Sequence, residues 1–147
     1  MRYSILLALI SLLIISCGKD KFTTAPQLKY KSVNTTKLKR DEIIEFKLSF
    51  TDKEGDLQDN LFIQKVVPRC AKDTTFKVEY PLPVFPTSKN TEGEITVSYS
   101  YGVVGGYKPI GEPKCNENDT CYFRFMLKDK AQHTSDTVQS ETIIIYK

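Results

Sequence analysis

From residue 28 onward, apolar and polar side chains alternate in short runs of period two, the pattern of strands with one buried and one wet face. The clearest run sets Ile44, Phe46, Leu48 and Phe50 against Glu45, Lys47 and Ser49. Leu28 and Tyr30 alternate with Lys29 and Lys31, and Phe76, Val78 and Tyr80 with Thr75, Lys77 and Glu79. Ile95, Val97, Tyr99 and Tyr101 alternate with Glu94, Thr96, Ser98 and Ser100; Phe123, Phe125 and Leu127 alternate with Tyr122, Arg124 and Met126. Residues 61–67 predict a further strand whose facing the pattern leaves undecided. The last strand, near 138–146, is apolar on both faces at Ile143-Ile144-Ile145, as a central or clamped strand would be. These segments are rich in Ile, Val, Phe, Tyr and Thr, and nothing in them repeats at helical spacing. About seven strands in one domain-sized stretch predict an all-β fold, an immunoglobulin-like antiparallel sandwich over residues 27–147. A small barrel is the alternative. The antibody core signature is missing, because the chain has no Trp.

The beginning of the chain reads differently. Met1-Arg2 is a short positive segment, Ile5 to Ile15 is apolar apart from Ser11, and Ile14-Ile15-Ser16-Cys17 follows. That layout is a secretory signal, too short to span a bilayer comfortably. An aliphatic residue three before a cysteine, with a small residue just before it, resembles the bacterial lipobox read by signal peptidase II. The resemblance implies cleavage after residue 16 and a diacylglyceryl thioether on Cys17. An ordinary signal peptide with an incidental Cys17 is the alternative. Several acyl chains give stable attachment to a bilayer where one does not, since each buried CH₂ contributes ~0.8 kcal/mol. Gly18-Lys19-Asp20-Lys21 resembles the lipoprotein export signals of Bacteroidota, which implies the outer membrane and display at the cell surface. Residues 17–26 then read as the lipidated cysteine and a tether ending at Pro26.

Net charge is +3, and one positive charge leaves with Arg2. A balance so near neutral argues against nucleic acid as a partner. Lys19, Lys21, Lys29, Lys31, Lys37, Lys39 and Arg40 nevertheless face only Asp20 before Asp41. Beside a lipid anchor, such a stretch can lie against anionic head groups; a solvated tether and edge strand account for it equally well.

The cleanest strand runs into Phe50-Thr51-Asp52-Lys53-Glu54-Gly55-Asp56-Leu57, with Asp59 beyond. This segment resembles the aromatic-Thr-Asp-x-x-Gly-Asp-Leu turn of small Bacteroidota lipoproteins with immunoglobulin-like domains. Asp129 to Val138 resembles the turn before their final strand, with Gln132-His133 where a Gly-Asn pair is common. The resemblance implies a fold and a location but no activity. In physical terms, Gly55 supplies a positive φ and the acids cap turns by accepting from backbone N–H groups. Asp52, Glu54, Asp56 and Asp59 also make an oxygen cluster of the kind that holds structural Ca²⁺, with Asp129 joining if the two turns share one end. A solvated polar turn is the competing reading.

With Cys17 lipidated, Cys70, Cys115 and Cys121 remain in an oxidising compartment. Cys115 and Cys121 flank a polar loop, and a disulfide between them would contribute roughly 2.4 kcal/mol by loop closure. Cys70 paired with either is the competitor. A zinc site of three cysteines and His133 is a weaker alternative, its Cys-x₅-Cys gap being wide. His133, the single histidine, reads as a residue of a surface turn. No Gly-x-Ser-x-Gly or His-Glu-x-x-His is present, and nothing marks a cysteine as activated, so no enzyme is expected.

Pro81-Leu82-Pro83-Val84-Phe85-Pro86 cannot be a central strand and reads as an edge or crossover. Residues 101–114 form a long glycine- and proline-punctuated loop, a length that often carries function. Tyr101 and Tyr107 could there stack on a sugar or a partner's side chain, or simply pack inward. Together these features suggest a membrane-anchored, non-catalytic binding or accessory module for an envelope protein or a glycan. A purely structural envelope domain is the alternative.

Overall fold

The computed structural model describes residues 21–147 apart from residues 71, 74, 75 and 87. The expected signal 1–16, Cys17 and the three residues after it lie outside the described residues. Ten strands and no helix occur among those described: β1 (Gln27–Val33), β2 (Lys37–Leu38), β3 (Ile43–Asp52), β4 (Asn60–Val66), β5 (Lys77–Pro81), β6 (Thr91–Ser100), β7 (Lys108–Pro109), β8 (Asp119–Lys128), β9 (Val138–Gln139) and β10 (Ile143–Ile145).

They form two sheets. One has the order β1-β3-β6-β7; the other runs β2-β10-β8-β4-β5, with β9 also on β8. This is the connectivity of an immunoglobulin-like sandwich, whose N-terminal strand crosses from one sheet (β1) to the other (β2). The long alternating runs became the long strands. β2, β7 and β9 have two residues each, too few to show a period. The expected last strand is split into β9 and β10, and the β2 and β7 pairings are parallel.

The layers meet in part through aromatic rings. Phe46 of β3 lies 4.7 Å from Phe123 and 5.2 Å from Phe125 of β8 between ring centroids. Phe76, just ahead of β5, sits edge-on to Tyr99 at 5.1 Å. Aromatic pairs at these separations contribute ~0.5–1.5 kcal/mol each beyond the area they bury. Ile143 and Ile145 are fully buried in a strand clamped between β2 and β8, which explains its doubly apolar sequence. The Pro81–Pro86 stretch carries the chain from β5 in one sheet to β6 in the other, as a crossover.

The register fixes two ends. At the first, β3 finishes at Asp52 opposite Thr91, and Asn60 of β4 faces Lys128 of β8. At the second, Ile43 faces Ser100, Val66 faces Tyr122, and Asp119 opens β8 opposite Ile145. The described chain begins at the first end, where Gln27 pairs with Thr51. Residues 21–26 are held to the domain there. Thr51 Oγ1 donates to Lys21 O at 2.8 Å, Lys53 N to Thr23 O at 3.3 Å, and Lys21 forms an ion pair with Glu92 at 2.6 Å.

Candidate functional site: a carboxylate cluster at each end

At the first end the acidic turn closes on itself. Asp52 Oδ2 accepts from Gly55 N at 2.6 Å and Asp56 N at 3.1 Å, so a carboxylate caps the turn that the sequence predicts. Gly55 has φ +75°, and a Cβ there would lie 2.3 Å from Ser88 O; no other residue fits without moving backbone. The second turn does likewise. Asp129 Oδ1 accepts from His133 N at 2.8 Å, and Oδ2 is 3.1 Å from His133 Nδ1. Gln132 takes φ +72°, a conformation that favours Gly or Asn. Lys130 N donates to Asp56 O at 3.0 Å and ties the two turns together.

Asp52, Asp56 and Asp129 are thereby brought together, with one oxygen of each within 4.8 Å of the others. Asp52 and Asp129 are fully buried. Asp52 Oδ1 and Asp56 Oδ1 are buried and have no hydrogen-bond partner among the described residues. Burial raises the Asp52 carboxyl above its usual range, against the two backbone N–H groups that lower it, and the Asp56 and Glu54 charges push it further up. An unpartnered buried carboxylate oxygen is costly, and oxygens this close can share an ion that binds at ~2.3–2.6 Å from each. The other two expected ligands are placed elsewhere. Glu54 is exposed at the tip of the turn. Asp59 accepts from Asn60 Nδ2 at 2.7 Å and Gln132 Nε2 at 3.1 Å, which turns it to a different task.

At the second end the cysteines depart from expectation. Cys70 is bonded to Cys115, with Cα atoms 6.1 Å apart, and Cys121 is the free thiol. The Cys115–Cys121 pairing fails because Cys121 is already inside β8 with its side chain turned into the core, whereas Cys115 lies in the preceding loop beside the turn that follows β4. Burial pushes the Cys121 thiol up to about 12, so it is a core group rather than a nucleophile. His133 lies at the opposite end from these cysteines, which removes both the zinc set and a Cys–His pair.

Beside the disulfide is a group that the alternation pattern did not reveal. Lys65 of β4 points inward, following Leu61 and Ile63. Its Nζ donates to Asp73 Oδ2 at 2.7 Å and to Asp119 Oδ2 at 2.9 Å, with all three side chains at most 3% exposed. Burial alone would lower the lysine, but the two carboxylates outweigh it and hold it raised. Burial also raises Asp119, and Asp73's hydrogen bond adds to that, against Lys65. A lysine at the core position of Leu61-x-Ile63-x-Lys65-x-Val67 was the available signal.

Of the two loop tyrosines, Tyr101 is core: it is 2% exposed, with the Arg40 guanidinium 5.8 Å from its ring. It follows the last residue of β6 and continues the inward alternation, so it is not available to stack on a ligand. Tyr107 is 39% exposed, and Val103 on the same loop is 96% exposed.

No family model and no curated protein matches this chain. Among solved structures, it is similar to the sporulation control protein Spo0M of Bacillus subtilis, with a TM-score of 0.49 and 9% identity over 85% of this chain. The chain spans about half the length (51%) of that protein.

Proposed function

We propose that this chain is a lipid-anchored, non-catalytic module of the bacterial outer membrane, facing the cell surface, that binds an envelope protein or a glycan. The observation that carries the reading is the polarity of the domain. The chain enters the sandwich at the end bearing the acidic turns, while the loop with Val103 and Tyr107 exposed lies beyond Ser100 at the opposite end. With lipid on Cys17, the loop would be the part farthest from the bilayer. Isolated exposed apolar side chains are ordinary, so the binding role is tested directly. Glycan arrays and pull-downs with the Val103→Ser/Tyr107→Ala chain should lose the ligand that the unaltered chain captures; unchanged binding removes the loop from the proposal. Cys17→Ala should abolish fatty-acid labelling and membrane partition, and retention of both would sink the anchor.

The same reading includes Ca²⁺ held by Asp52, Asp56 and Asp129. The support is the pair of unpartnered buried oxygens, Asp52 Oδ1 and Asp56 Oδ1, in a group whose carboxylates pair with no lysine or arginine side chain among the described residues. Three carboxylates suit a hard divalent cation whose remaining positions are filled by carbonyls and water. The ion would act as a brace between the two turns.

A further inference from the structure

We propose that Lys65 and Asp119 form an intramolecular amide bond, Nζ to Cγ, with Asp73 relaying the proton. The ammonium of Lys65 lies at hydrogen-bond distance from one oxygen of each carboxyl group, which sets its nitrogen next to the Asp119 carbon. All three groups are sealed from solvent. Fixing reactants in such a geometry replaces a bimolecular step by an internal one, and effective molarities for well-oriented pairs reach ~10⁵–10⁸ M.

The charge count favours the reaction. One ammonium beside two carboxylates leaves an excess negative charge in the core, which a single shared proton removes. Asp119 is the group that holds that proton, because burial and the hydrogen bond to Asp73 raise its pKa against the opposing effect of Lys65. The carboxylates hold Lys65 raised, so the ammonium is the resting form; passing one of its protons to Asp73 leaves a neutral amine facing a neutral acid, flanked by a second neutral acid. No ion remains, so this arrangement avoids the desolvation that burdens buried ion pairs.

The step itself balances. The nitrogen lone pair attacks Cγ of Asp119, forming the C–N bond. Asp73 accepts the proton lost by nitrogen and gives its own to the departing hydroxyl, so the C–O bond breaks and one water leaves. Asp73 ends protonated, as it began. Nothing is oxidised or reduced and no further reactant is needed. Asp73 is thus a general acid and base, and the domain turns over once, on itself.

The product makes structural sense. Asp119 and Lys65 lie just where the β4–β8 ladder ends at Val66 and Tyr122, so the amide would tie two central strands at the end that Cys70–Cys115 already closes. A structural ion pair is the competing account, and mass separates the two. The mature chain, reduced and digested, should yield a branched Lys65–Asp119 peptide lighter by one water than its two parts. In that chain no unmodified Lys65 peptide should remain, and finding only the unmodified peptides overturns the proposal. Asp119→Ala should abolish the bond; a Lys65–Asp73 link surviving there overturns the assignment of roles. Asp73→Asn should keep the Cys70–Cys115 bond in a parallel non-reduced digest but show no loss of water in the reduced one. Full amide formation in that variant overturns the relay.

Discussion

The two ends of the sandwich bury the same chemical group and neutralise it in different ways. At the second end, Lys65 stands between Asp73 and Asp119, so the chain carries its own partner for them, an ammonium before the amide forms and the amide nitrogen after. At the first end, the carboxylates of Asp52, Asp56 and Asp129 converge with no lysine or arginine side chain paired to them among the described residues, and His133 supplies a positive charge only when protonated. One cluster is therefore complete within the fold. The other is complete only with a proton or an ion taken from outside. The lesson is that burial of carboxylates has opposite signatures in the two places: removing a partner should harm the second end, and adding one should help the first.

The sharpest break of this comparison is Lys65→Met. It strands two carboxylates in the core and removes any covalent tie, and should lower stability by about 3–5 kcal/mol, read as the shift in a denaturant midpoint. Asp52→Asn should behave oppositely in chelator, leaving the calcium-free domain as stable as before or more so, while abolishing its response to calcium. If both variants destabilise alike, the contrast is wrong. Next in size is reduction of Cys70–Cys115. Its ends are 45 residues apart, a loop whose closure is worth about 4 kcal/mol. The midpoint should fall accordingly, whereas Cys121→Ser should not reproduce the loss of that bond in a non-reducing peptide map.

Calcium is a smaller lever. Binding at ~10⁻⁴–10⁻³ M would stabilise the domain by about 0.4–1.4 kcal/mol at millimolar ion. Melting curves in excess calcium and in chelator should differ by that much, and coincident curves would remove the ion. The pH dependence follows with a definite sign. Asp52 is raised when folded above an unfolded value of about 3.9. Without calcium its contribution is therefore fully present below that pH and is lost as pH rises through the folded value. The calcium increment should run the other way, fading as pH falls through the same window. Smallest of all is Tyr107→Ala, which should change stability by less than about 0.5 kcal/mol while altering ligand capture.

What could be seen in the sequence followed from how strictly each residue obeys the period of its strand. β3 and its turn were legible because Ile44 to Phe50 alternate without exception and Gly55 marks the positive φ. The meeting of Asp129 with Asp52 and Asp56 was legible only as a condition, since it depends on two strand ends from different sheets coinciding. Lys65 was not legible as a core residue, because a charge at an inward position makes the alternation of 61–67 look undecided. The cysteine pairing was hidden for a related reason. Spacing suggests a small loop closed by Cys115 and Cys121, but β8 begins at Asp119 and turns Cys121 inward. Tyr101 was ambiguous between strand and loop, and one residue of register settled it as core.

The hydrogen bonds that pin Lys21 to β3 and Thr23 to the residue after it would set the length of a leash from a lipidated Cys17. Four Cα steps separate Cys17 from Lys21, a reach of at most about 14 Å fully extended. A lipidated chain would hold its acidic end within one or two screening lengths of the head groups, each ~8 Å in physiological salt. Next to an anionic surface at about −30 mV, a divalent cation is concentrated roughly tenfold at the surface itself. The anchor would then do more than retain the domain: it would hold the acidic turns in the outer part of the screening layer, where calcium is only modestly richer than in the surrounding fluid.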